Sequence, residues 1–233
     1  MHYFALLLGP EATQAPDAGT EAAIMAAYIE FHTNAGAAIQ AGDALTGSHA
    51  AARITGGPDH PVVTDGPFAE GAEVAGGYYV IEADHLDDAL AIARQIPACR
   101  QGAVEVWPMV GWEAPTEKVG NDWFALLLEP PGDTCLPGSE EWQRCDREHA
   151  AFGEAAGDHI LGGAPLHPPS TATTVRVRDG QATFTDGPYV EGAEVASGFY
   201  LLRAADRDEA VKLASLIPAT TVELRQLVGV SGR

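Results

Sequence analysis

Thr64-Asp-Gly-Pro-Phe-Ala-Glu-Gly-Ala-Glu-Val-Ala-Gly-Gly-Tyr-Tyr-Val-Ile81 decides the reading, because it returns as Thr185-Asp-Gly-Pro-Tyr-Val-Glu-Gly-Ala-Glu-Val-Ala-Ser-Gly-Phe-Tyr-Leu-Leu202. A match of this length at one spacing marks a duplicated module. The opening apolar runs agree: Tyr3-Phe-Ala-Leu-Leu-Leu8 is repeated by Trp123-Phe-Ala-Leu-Leu-Leu128. The chain is therefore read as residues 1–110, a polar linker over 111–122 with Gly111, Pro115 and Gly120, and a second module over 123–233.

Working outward from the repeat, each module opens on a short apolar run of strand length. A helix is expected from Thr20 to about Gly42, with Ile24, Tyr28, Phe31, Ala35 and Ile39 on one stripe. Its counterpart is capped by Ser139 and carries Trp142, Cys145, His149, Phe152 and Ala156 inward. Ala51 to Val63 reads as two strand pieces broken by Gly56, Gly57 and Pro58. Its counterpart, Thr173 to Thr185, is a hairpin turning on Asp179-Gly180. Gly77 to Ala83 is a strand, a helix follows Asp84 and is stopped by Pro97, and Ala103 to Met109 is the last strand.

That order is β-α-β-β-α-β, an α+β fold of ferredoxin-like type with both helices on one sheet face. The other face is apolar and needs a cover. Two such modules in one chain can cover each other, as identical subunits do elsewhere. The expectation is an intrachain pseudo-dimer, with further oligomerisation left open.

Bulk chemistry narrows the partners. With 13 basic and 33 acidic residues the net charge is −20. Nucleic acid and anionic membrane surfaces are disfavoured as partners, while neutral or cationic small molecules are favoured. No stretch reaches the ~20 apolar residues of a membrane span. Cys99, Cys135 and Cys145 form no C-x-x-C pair and argue against a disulfide framework. Together these point to a reducing, cytoplasmic setting.

Asp65-Gly-Pro-Phe68, Glu70, Glu73 and Gly77-Tyr78-Tyr79 in the first module resemble the YCII-related family, in its branch with an Asp-Gly-Pro-Phe signature. Asp186-Gly-Pro-Tyr189, Glu191, Glu194 and Gly198-Phe199-Tyr200 carry the same resemblance in the second, with Ile96-Pro97 and Ile217-Pro218 closing the matched stretches. The resemblance implies a dimeric α+β barrel, here formed within one chain. It also implies small-molecule binding in a sheet–helix cleft, with acid–base lyase or isomerase chemistry in some relatives. Others lie near alternative sigma factors, which makes a non-catalytic, protein-binding module associated with transcription the alternative. A His–Asp pair used by some relatives does not carry over, because Ile96 and Ile217 stand where the Asp would be.

The candidate catalytic residues are His149, Asp186 and Asp65; the candidate ligand-binding residues are Glu191, Glu70, Tyr200 and Tyr79. His149 stands on the inward stripe as a candidate general base, with Ala35 taken as its counterpart. His32 lies off the stripe. The Asp residues open turns in which a carboxylate caps backbone N–H groups or anchors a ligand. The Glu residues are read as acid–base groups or as charged connectors. Each Tyr faces away from its neighbour Tyr78 or Phe199. Neither a metal-ligand spacing nor a cofactor fingerprint is present, so no cofactor is expected.

Overall fold

The computed structural model describes residues 1–10, 17–68, 73–115, 117–131, 135–188 and 194–230. In the first half, strand β1 (His2–Gly9) leads to helix α1 (Ala18–Ala35) and strand β2 (Ile39–Ala44). A hairpin follows, β3 (Ala52–Thr55) and β4 (Val62–Asp65), then β5 (Val74–Glu82), α2 (Leu86–Ala93) and β6 (Ala103–Pro108). The second half repeats this order: β7 (Trp123–Glu129), α3 (Glu140–Ala156), β8 (Ile160–Pro165), the hairpin β9 (Thr173–Arg178) and β10 (Gln181–Asp186), β11 (Val195–Leu202), α4 (Arg207–Ala214) and β12 (Thr221–Gln226).

Several local choices follow from single residues. Ser139 Oγ accepts a hydrogen bond from the Trp142 N–H and starts α3. Asp206 accepts from the Glu209 N–H at the start of α4. Asp179 and Gly180 both take positive φ, as a two-residue hairpin turn of this hand requires. Gly36 and Gly157, each at φ 53°, end α1 and α3.

Those glycines correct the expected helix over Thr20 to Gly42. The chain leaves the helix at Gly36, whose N–H bonds back to the His32 carbonyl, and Ile39 becomes a buried strand residue. Ile24, placed on the inward stripe, is 38% exposed. The second strand of the module is therefore β2, not the segment over Ala51 to Val63.

That segment does form two strands, but they leave their own half. The sheet orders are β10-β9-β6-β1-β5-β2 and β4-β3-β12-β7-β11-β8. Four strands of each sheet come from one half in ferredoxin-like order, and the outer two are the other half's hairpin. Val104 pairs with Val175, and Val222 pairs with Ile54. Each hairpin covers the edge that β6 or β12 would otherwise present unpaired.

Alternation then sorts the side chains. Tyr3, Ala5, Leu7, Tyr79 and Ile81 face α1 and α2. Trp123, Ala125, Leu127 and Leu202 face α3 and α4. Phe4, Leu6, Tyr78 and Val80 face the other way and meet Phe124, Leu126, Phe199 and Leu201 of the second half. Four rings form the centre: Phe4 lies 4.7 Å from Phe199, and Tyr78 lies 4.8 Å from Phe124. These two contacts are mates under the repeat. The bare face of each half is covered by the other.

The cysteines depart from expectation. Cys135 and Cys145 are joined by a disulfide, their Cα atoms 7.3 Å apart. Cys99 is a free, buried thiol pushed up to about 12 by desolvation.

Candidate functional site

In each half a histidine on the first helix reaches a tyrosine on the central strand. His149 Nδ1 and the Tyr200 hydroxyl share a hydrogen bond of 2.9 Å. His32 Nε2 and the Tyr79 hydroxyl share one of 2.8 Å. The tyrosines are equivalent under the repeat; the histidines are not. Counting back from the caps Gly36 and Gly157, His149 corresponds to Tyr28, and His32 corresponds to Gly153. The expected pairing of His149 with Ala35 is corrected accordingly: Ala35 matches Ala156. Signals for the His32 pair were present in the sequence, since a residue off the buried stripe can still reach a strand phenol at the helix margin.

Both phenol rings lie on bare backbone. A Cβ on Gly42 would sit 2.2 Å from Tyr79 Cδ1, and one on Gly163 would sit 2.8 Å from Tyr200 Cδ1. Glycine on the edge strand therefore seats the ring, and the ring holds the imidazole. Phe152 closes the other side, 5.0 Å from the Tyr200 ring and edge-on.

Burial sets the protonation states. Desolvation lowers the His149 pKa below its ordinary 6.5, against the opposing fields of Glu148 and Asp146. The Tyr200 phenol is pushed up to about 12, also by desolvation. At neutral pH both groups are uncharged, so the imidazole tautomer decides which of them donates: the phenol O–H to Nδ1, or Nδ1–H to the phenol oxygen. With Nδ1 donating to the phenol oxygen, Nε2 is a free base and the phenol O–H is a donor.

The pair lines a cleft of about 1090 Å³ between α3, the second sheet and the end of α4. Trp142, Cys145, His149 and Phe152, the stripe expected to pack inward, form its helical wall. Only Phe152 of these four is fully buried. The far rim is Gly56 to Asp59, the tip of the hairpin that the first half lends to the second sheet. The cleft is thus built by both halves.

The other candidates fall elsewhere. Asp65 and Asp186 end β4 and β10, are exposed, and do not line this cleft. Asp65 accepts a hydrogen bond from Arg207 of α4. Glu70 and Glu191 lie outside the described residues. Glu73 and Glu194, read as acid–base groups or connectors, each reach an arginine on the other half's hairpin. Arg176 donates to both Glu73 carboxylate oxygens at 2.8 Å, and Arg53 pairs with Glu194. These are reciprocal ties between the halves, and no sequence pattern announced them because the partners come from opposite modules. Among the described residues no three His, Cys, Asp or Glu side chains gather as metal ligands, and no helix is long and apolar enough to cross a membrane.

The family model for the YCII-related domain matches residues 1–113 and again 124–230. Comparison with curated proteins gives no match.

Proposed function

The chain belongs to the YCII-related family, in two tandem copies, and we infer that it binds a small molecule in the cleft of its second half. His149 and Tyr200 serve there as an acid–base pair, suited to the proton transfers of a lyase or isomerase. One observation carries the reading: two uncharged, hydrogen-bonded titratable groups stand at the wall of a cleft of about 1090 Å³. His149 Nε2 takes a proton from a carbon acid while the Tyr200 hydroxyl steadies the developing oxyanion or returns a proton. Asp65 and Asp186 are assigned to the turns, not to this chemistry. We further read the paired sheets as a dimeric α+β barrel closed within one chain. The exchanged hairpins and the four-ring centre support that reading, and the two Asp-Gly-Pro turns support the signature branch.

The test is a fragment screen by ligand-observed NMR, followed by deuterium exchange of bound carbon acids in D2O. Hits should be lost in Gly153→His, and exchange should be lost in His149→Ala and Tyr200→Phe. Unchanged binding and exchange in His149→Ala would end this reading.

A protein-binding module is the second reading, favoured by the outer face of α1. Met25 is 54% and Ile29 60% exposed on that helix. If that face serves a transcription regulator, Ile29→Glu should abolish the association and leave the cleft's ligands bound.

A further inference from the structure

The chemistry of the cleft wall says more than its size, and the inference rests on the cleft being a binding site. Its flat surfaces are aromatic: Trp142, Phe152 and Tyr200. Its charged rim is acidic. Asp59, Asp146 and Glu148 line it, and no ion pair among the described residues engages them. Glu129 also lines it, but its carboxylate is held by the Thr220 backbone N–H and hydroxyl. One guanidinium, Arg144, opposes the three open carboxylates.

The N-terminus of α3, the kind of helix end that attracts anions, is blocked by its own sequence. Glu140 and Glu141 occupy the first turn of α3, so its positive end is already neutralised, and Ser139 occupies the Trp142 N–H. His149 carries no charge at neutral pH to offset the rim. An anionic ligand therefore meets like charge at the mouth and finds no built receptor among the described residues within. A cation is drawn to the mouth by the carboxylates and to the wall by the ring faces, which attract positive charge electrostatically.

We propose that the cleft takes an organic cation: a protonated amine carried on a flat aromatic body. The rings receive the body, and the negative field of the rim that Asp59, Asp146 and Glu148 form draws the ammonium group. The first half's hairpin tip supplies Asp59, so recognition of charge depends on the exchange of hairpins. Tyr200 belongs to the aromatic wall and holds His149, so the pair meets the body of the ligand.

Three probes sharing one indole body separate the possibilities: tryptamine, tryptophol and indole-3-acetate, titrated calorimetrically into the full chain. Tryptamine should bind at least about tenfold tighter than tryptophol, with indole-3-acetate weakest. Glu148→Gln should weaken tryptamine about threefold and leave tryptophol unchanged, and raising the salt should have the same selective effect. Trp142→Ala should weaken both. Glu148 is an exposed side chain, so its neutral variant is expected to fold even if Trp142→Ala does not. Equal affinity for the three indoles, or preference for the acetate, would overturn the proposal while leaving the cleft a binding site. Binding of none of the three would overturn the proposal together with the reading beneath it.

Discussion

The two halves share a backbone plan and a central tyrosine, yet they treat the space above that tyrosine differently. In the first half Tyr28 and His32 stand over Tyr79 from successive turns of α1. In the second, His149 replaces the larger Tyr28 and Gly153 leaves the His32 position bare. A Cβ at Gly153 would meet nothing within 4 Å. The outer faces differ as well: α1 exposes Met25 and Ile29, whereas α3 exposes acidic and basic side chains. Duplication conserved what holds the halves together and released what lies on top. A module that must bury its sheet against its twin has little freedom at Phe4 or Phe199. The helix side of only one copy has to remain open for a ligand.

If the halves are equal in their shared core, Phe4→Ala and Phe124→Ala should each lower the unfolding free energy by about 3–5 kcal/mol. A single cooperative denaturant transition should persist in both. Two separate transitions would mean that the halves are independent and the comparison is misdrawn. Arg176→Ala, which leaves the partly buried Glu73 without its bidentate partner, should cost about 1–2 kcal/mol. Arg53→Ala tests the reciprocal tie, and a cost confined to one of them would show that the exchange is lopsided.

The difference above the tyrosines can be erased. His149→Tyr with Gly153→His copies the first half onto the second, and should weaken any cleft ligand by more than about tenfold. Gly153→Ala alone should raise stability by about 0.5–1 kcal/mol, since it removes a helix-interior glycine without a clash. The smallest effect concerns pH. The folded pKa of His149 lies below 6.5, so the unfolded chain binds the proton first as the medium acidifies. Its share of stability is complete above 6.5 and falls as the pH drops toward the folded value. His149→Gln should flatten that part of the pH–stability curve, as read by thermal melts across the acid range.

Much of the fold could be read from residue patterns. The repeat over Thr64 to Ile81 and Thr185 to Leu202, the Asp179-Gly180 turn and the Ser139 cap are local signals with local causes. The helix stripe through His149 was read as packing inward, yet of its residues along the cleft only Phe152 is fully buried. The true end of α1 escaped because Ile39 continues the helical spacing by coincidence, while Gly36 alone turns the chain. The His32–Tyr79 bond escaped because exposure on the helix was taken to mean distance from the sheet. Glu73 and Glu194 escaped because their partners are a hundred residues away or more, on the other module.

The amino-acid order by itself determined that there are two copies, that each is an α+β module, and that each has an apolar face needing a partner. These follow from periodicity and turn chemistry, which act over a few residues. Only the tertiary structure decided that each copy gives its hairpin to the other's sheet, and so that the rim of the second half's cleft is made by the first. Strand edges are satisfied by whichever backbone reaches them, and sequence alone does not distinguish a hairpin's own sheet from its twin's.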